Sequence, residues 1–307
     1  MKTANILVIN GGGIRAVATL IQLIELERIV KTKLCNHFDY ISGCSTGGII
    51  ATLLALEYST EDILRLYTEH GEGIFDEKFL RFGIIRPKYD DTYFNNVIEQ
   101  YTQSRKLSDC KTALIVPTYN ASKKALKIFK SYKFSENNHT LKDVIRSTAS
   151  APTYFKPWGI EGDEYIDGGL VVNNPIMIVW IEAMKAGYEK YQIINFTTGR
   201  RERPITSNLV KAGKLGWAQP TVDILLTEMD QTTDYITRQL FTLLPSIVGR
   251  RIGMYMRCET YLSKSSSEMD DASLKNMKHL MEDGERSRDL NRDKMQTYYL
   301  NTIKNGQ

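Results

Sequence analysis

Apolar positions along the chain fall into two rhythms. Short aliphatic runs bounded by polar residues read as strands: Ile6 to Ile9, the run ending at Ile41, Thr112 to Tyr119, Ala125 to Lys130 and Tyr191 to Phe196. Between them apolar residues return at helical spacing. Val17, Leu20, Ile21 and Ile24 form one such set, and the Ala-rich run from Ile49 to Leu56 another. Ile63, Leu64, Leu66 and Tyr67 follow the capping signal Ser59-Thr60-Glu61-Asp62. A further helix over Leu141 to Ser150 is stopped by Pro152, and Pro175 opens one carrying Ile176, Val179 and Trp180. Gly71 to Tyr93 has no clear period and reads as loop and short elements near the mouth of a site. After Pro204 the character changes: Asp223 to Leu244 and Asp271 to Ile303 both read as helical. The pattern predicts one α/β domain over residues 1–307, with a core over 1–203 and a helical appendage over 204–307. Leu240, Phe241, Leu243 and Leu244 are expected to pack on that core in preference to facing a membrane beside Arg250 and Arg251.

Composition changes this picture little. The 307 residues are 42% hydrophobic and 25% charged, enough for a sizeable core and unlike a disordered chain. Met1 to Asn5 run directly into the first strand, with no basic and apolar leader, and no uncharged run reaches bilayer length. A soluble, cytoplasmic chain is the expectation. The net charge of +4 is mild and its basic residues are spread, including Arg200, Arg201 and Arg203, which speaks against nucleic acid as a partner. Weak attraction to an anionic membrane surface is compatible with it. Four cysteines, at 35, 44, 110 and 258, lack the spacing of a zinc site or a disulfide scaffold.

The chemistry concentrates in three stretches. Gly43-Cys44-Ser45-Thr46-Gly47 follows a strand and opens a helix, the order that exposes a serine on a sharp turn. Such a serine needs a base for its proton and donors for the negative charge that follows. A plain serine N-cap is the alternative. Asn10-Gly11-Gly12-Gly13-Ile14-Arg15-Ala16 also joins a strand to a helix and presents backbone N–H groups to an anion. Gly11-x-Gly13-x-x-Ala16 fits a dinucleotide loop, but the next strand delivers Ser45 where that motif wants an acid, which favours an oxyanion hole. The third stretch, Asp167-Gly168-Gly169, sets a carboxylate on a turn. His37, His70, His139 and His279 lack the late loop position a Ser-His-Asp triad uses, so Asp167 is the leading candidate for the base. A carboxylate in that role needs a pKa raised by desolvation.

With these stretches in order, the chain resembles the patatin-like phospholipases, lipid acyl hydrolases with a Ser-Asp dyad. The lesser stretches Ser147-Thr148-Ala149-Ser150-Ala151-Pro152-Thr153-Tyr154-Phe155, Asn173-Asn174-Pro175 and, weakly, Met269-Asp270-Asp271-Ala272 add to the likeness. The resemblance implies a three-layer α/β/α hydrolase with a mixed, mainly parallel sheet. It implies Ser45 as nucleophile, Asp167 as base, Gly11, Gly12 and Gly13 as oxyanion donors, and Arg15 as loop support or phosphate contact. Ala16 replaces a commoner glycine, and Cys44, in place of a commoner threonine, is given no chemical role. No metal and no cofactor are expected. The implied partner is a phospholipid or related acyl lipid met at a membrane surface, with room for an activating partner or for export as an effector. A nucleotide-binding protein using Gly11 and Gly13, and a catalytically silent lipid-binding module, are the rival functions.

Overall fold

The computed structural model describes residues 2–76, 87–136, 138–199 and 214–306. Eight strands form a single sheet: β1 (Thr3–Ile9), β2 (Tyr40–Gly43), β3 (Ala113–Asn120), β4 (Ala125–Lys130), β5 (Trp158–Ile160), β6 (Asp163–Ile166), β7 (Lys190–Phe196) and β8 (Gly253–Cys258). β1 lies at the centre, parallel to β2 on one side and to β7 on the other. Parallel pairing continues from β2 to β3 and from β7 to β8, whereas β4, β5 and β6 add an antiparallel edge around β3. The sheet is therefore mixed and mainly parallel.

Alternation along β1 explains the layers. Leu7 and Ile9 point to one face and join a cluster with helices α1 (Ala16–Val30), α3 (Thr46–Ala55), α4 (Thr60–Ile74), α5 (Thr92–Thr102) and α6 (Leu141–Ala149). Ala4, Ile6 and Val8 point to the other, where α8 (Ile176–Lys185) supplies Ile176, Val179 and Trp180. A strand covered on both faces has no polar side, which is why its sequence reads as a continuous apolar run. Two one-turn helices, α2 (Leu34–His37) and α7 (Gly169–Val172), also lie among the described residues of this part.

Two long helices, α9 (Lys214–Val248) and α10 (Leu274–Gly306), carry the helical character expected after residue 204. The difference is β8, threaded between them and hydrogen-bonded along β7, so this region contributes to the sheet as well as to its flanks. Phe241 packs on Trp180 with ring centroids 4.6 Å apart, and Leu240 and Leu244 join the same cluster. Leu243 turns outward, 52% exposed. The stretch read as loop begins and ends in helix, since α4 continues to Ile74 and α5 opens at Thr92. Helix persists through Gly71 because its backbone lies against the Ile14 side chain, and that packing overrides weak propensity. Residues 77–86, the boundary near 203 and Arg200, Arg201 and Arg203 lie outside the described residues.

Candidate active site

The parallel strands β1 and β2 end side by side, so the loops that leave them meet. Open α/β sheets place ligands beyond these carboxyl ends. From β2 the chain turns through Gly43 and Cys44 to Ser45, whose φ of 54° and ψ of −127° are strained for a residue with a side chain. Gly47 makes the turn geometrically feasible: a Cβ there would stand 2.2 Å from the Ile9 carbonyl oxygen. The Ser45 hydroxyl makes no capping bond to α3. It donates instead to Asp167 Oδ2, 2.5 Å away across 122 residues of chain.

Asp167 arrives from the opposite side, on the turn between β6 and α7. Its own N–H donates to the Ser150 carbonyl at 3.0 Å, and Oδ1 accepts from the Gly169 N–H at 2.7 Å. The second carboxylate oxygen is thereby left for Ser45. With the side chain 2% exposed, burial pushes the carboxyl up to about 6, opposed by the hydrogen bonds from Ser45 and Gly169. Such a carboxylate is still ionised at neutral pH, and it is a stronger base than an exposed one.

The glycine loop closes the third side. A Cβ at Gly11 would approach the Ser45 Cβ to 3.0 Å, so loop and serine are in contact. The Gly11 N–H is engaged with the Asn173 carbonyl at 3.4 Å. Among the described residues, the N–H groups of Gly12 and Gly13 have no acceptor. Arg15, 8% exposed, turns back on the loop: Nε donates to the Gly12 carbonyl at 3.0 Å and Nη1 to the Ser267 carbonyl at 3.4 Å. Met269 covers the loop from outside, its carbonyl accepting from the Ile14 N–H at 2.8 Å.

An apolar pocket opens onto Ser45 and Asp167, walled by Ile49, Leu66, Ile74, Phe75, Phe155 and Met269. The aromatic cluster around Tyr154 and Phe155 is thus both core and pocket wall. Three of the histidines are engaged elsewhere: His37 packs against Phe38 and Tyr298, His70 bonds the Tyr93 hydroxyl, and His139 packs against Phe129. Cys44 is buried beside the serine, and that burial raises its thiol far above the range in which it would ionise. Among the described residues no group of His, Cys, Asp or Glu is placed to hold a metal ion, and no helix is long and apolar enough to cross a membrane.

Sequence reasoning missed a buried polar network behind the loops. Asp230 of α9 pairs with Arg257 of β8 through two bonds, of 2.8 and 2.7 Å. The same carboxylate accepts from Asn10 at 2.7 Å and from Asn174 at 2.9 Å, and Asn195 bridges to Asn10 at 2.7 Å. One acid thus ties the residue before the glycine loop to the turn after Asp167. Asn174 was the available signal, but its partner Asp230 lies more than fifty residues further on.

Comparison with known proteins agrees with this architecture. A family profile described as patatin-like phospholipase matches residues 7–180. Patatin-like protein 4 of Arabidopsis thaliana is 28% identical over 97% of this chain and 87% of its own length. A Solanum tuberosum relative named "Probable inactive patatin-3-Kuras 1" is 24% identical over 97% of this chain and 90% of its own. Among solved structures, human GIVD cytosolic phospholipase A2 shares the fold, with a TM-score of 0.52 and 9% identity, over 98% of this chain. The present chain spans 60% of that one.

Proposed function

The chain belongs to the patatin-like phospholipase family, and from that premise we propose that it hydrolyses carboxylic esters of phospholipids or related acyl lipids through Ser45 and Asp167. The observation that carries the reading is the 2.5 Å hydrogen bond from Ser45 Oγ to a buried carboxylate that lines an apolar pocket. Family membership alone does not suffice, since one relative's name describes it as inactive.

In this mechanism the acyl chain lies in the pocket and brings its ester carbonyl to Ser45. The hydroxyl oxygen attacks the carbonyl carbon while its proton passes to Asp167 Oδ2. The negative charge moves to the former carbonyl oxygen, where the N–H groups of Gly12 and Gly13 stabilise it. Collapse of this intermediate breaks the bond to the alcohol, and Asp167 returns its proton to that leaving oxygen. A lysolipid or alcohol departs and the acyl group stays on Ser45. Water then repeats the sequence, giving its proton to Asp167 as it attacks, and the fatty acid leaves. Losing one oxyanion donor typically slows such reactions by about 10²–10³-fold, so backbone donors that no side-chain substitution removes suit the role.

The substrate places the reaction at a lipid surface, with peripheral association of the protein. A panel of phospholipid vesicles and short p-nitrophenyl esters, with wild type, Ser45→Ala and Asp167→Asn, tests the reading. Hydrolysis by wild type and its loss in both variants are expected. Vesicle binding without acyl release from any ester would point instead to a silent lipid-binding module.

A further inference from the structure

The dyad reading leaves unexplained what holds Ser45 in a backbone conformation that side chains disfavour. Its N–H is committed to a side chain. It donates to the hydroxyl of Thr148, at 3.0 Å, near the C-terminal end of α6. That hydroxyl donates in turn to the Pro117 carbonyl of β3, at 2.7 Å, and the side chain is 0% exposed. A hydroxyl carries one proton and two lone pairs, so with the proton committed to Pro117 its lone pairs are fixed toward Ser45. An apolar side chain of the same shape could fill the space but could make neither bond.

The same helix end also holds the base. Two residues on, the Ser150 carbonyl accepts the N–H of Asp167 at 3.0 Å. One turn of chain therefore grips the backbone of both residues that meet at 2.5 Å, through a hydroxyl at 148 and a carbonyl at 150.

We infer that Thr148 is a positioning residue for the acyl-transfer step: by binding the Ser45 N–H it sets the nucleophile's distance to Asp167 and withholds that N–H from the oxyanion. The inference rests on the Ser45-Asp167 reading and adds a residue to it. Thr148 touches neither substrate nor the reacting atoms, and its effect passes through Ser45.

The test compares Thr148→Val and Thr148→Ser with wild type and Ser45→Ala on a short p-nitrophenyl ester. Rates of wild type and the Thr148 variants are expressed per serine titrated with a fluorophosphonate, so that unfolded protein does not count, and that of Ser45→Ala per folded protein. Thr148→Val should lose about 10- to 100-fold in kcat with KM within about twofold, the scale of effect expected when a reacting group is misplaced by about 1 Å. Thr148→Ser, which keeps the hydroxyl, should recover most of it. Should the valine variant not fold, Thr148→Cys replaces it, because a thiol is a weak acceptor. A per-site kcat within twofold of wild type in the variant lacking the hydroxyl would overturn the inference, as would a loss that serine fails to rescue. Turnover surviving in Ser45→Ala would overturn the nucleophile itself, and with it this role.

Discussion

At the scale of the residue, Asp167 sets a conflict between stability and chemistry. Unfolded, its carboxyl titrates near the ordinary 3.8; folded, burial lifts it to about 6. The native state holds the proton more tightly, so this group's contribution to stability falls as pH rises between those values and levels off above them. Two pH units correspond to about 3 kcal/mol. Asp167→Asn removes the buried charge and keeps the size, so it should be the more stable protein by up to about 3 kcal/mol at pH 8, with the gap closing near pH 4. Urea unfolding at both pH values measures this, and a gap that does not change with pH would contradict it. Catalysis runs the other way: kcat/KM of wild type should rise with pH through about 6, as the base ionises, and then plateau.

At the scale of the element, each of the three chemical stretches lies where one strand ends. Strand, glycine turn and helix are local patterns, which is why the turns that carry Ser45, the glycine loop and Asp167 were legible in the sequence. What could not be read joins elements distant along the chain. Thr148 sits in an ordinary amphipathic helix and Arg257 in an unremarked strand, and only the fold brings each to its partner. β8 escaped notice because Arg257 and Gly253 break its apolar run, although burial of that arginine against Asp230 makes the strand viable. Removing Asp230 takes away both bonds to the Arg257 Nη atoms and leaves that guanidinium with Glu259 as its nearest carboxylate, 2.5 Å from its Nε. Asp230→Ala should destabilise the protein by up to about 3 kcal/mol. It should also lower turnover, since Asn10 and Asn174 lose their shared acceptor. A change below about 1 kcal/mol in urea unfolding would show that the network holds little.

At the scale of the whole molecule, the sheet needs its C-terminal helix as a cover. α10 buries Leu280, Met295 and Tyr298, and Asn291 reaches Gln22 of α1 at 2.9 Å and the Glu259 carbonyl at 2.7 Å. We therefore expect residues 1–307 to act as one cooperative unit. A chain ending before Leu274 should lose its cooperative thermal transition, whereas one that melts sharply would reveal an independent core. In the proposed reaction Ser45 takes the acyl group. A fluorophosphonate traps a serine nucleophile covalently, and peptide mass spectrometry after digestion locates the adduct. The modification is expected on Ser45, slowed in Asp167→Asn and absent in Ser45→Ala. An adduct on another residue, or one that persists in Ser45→Ala, would contradict it.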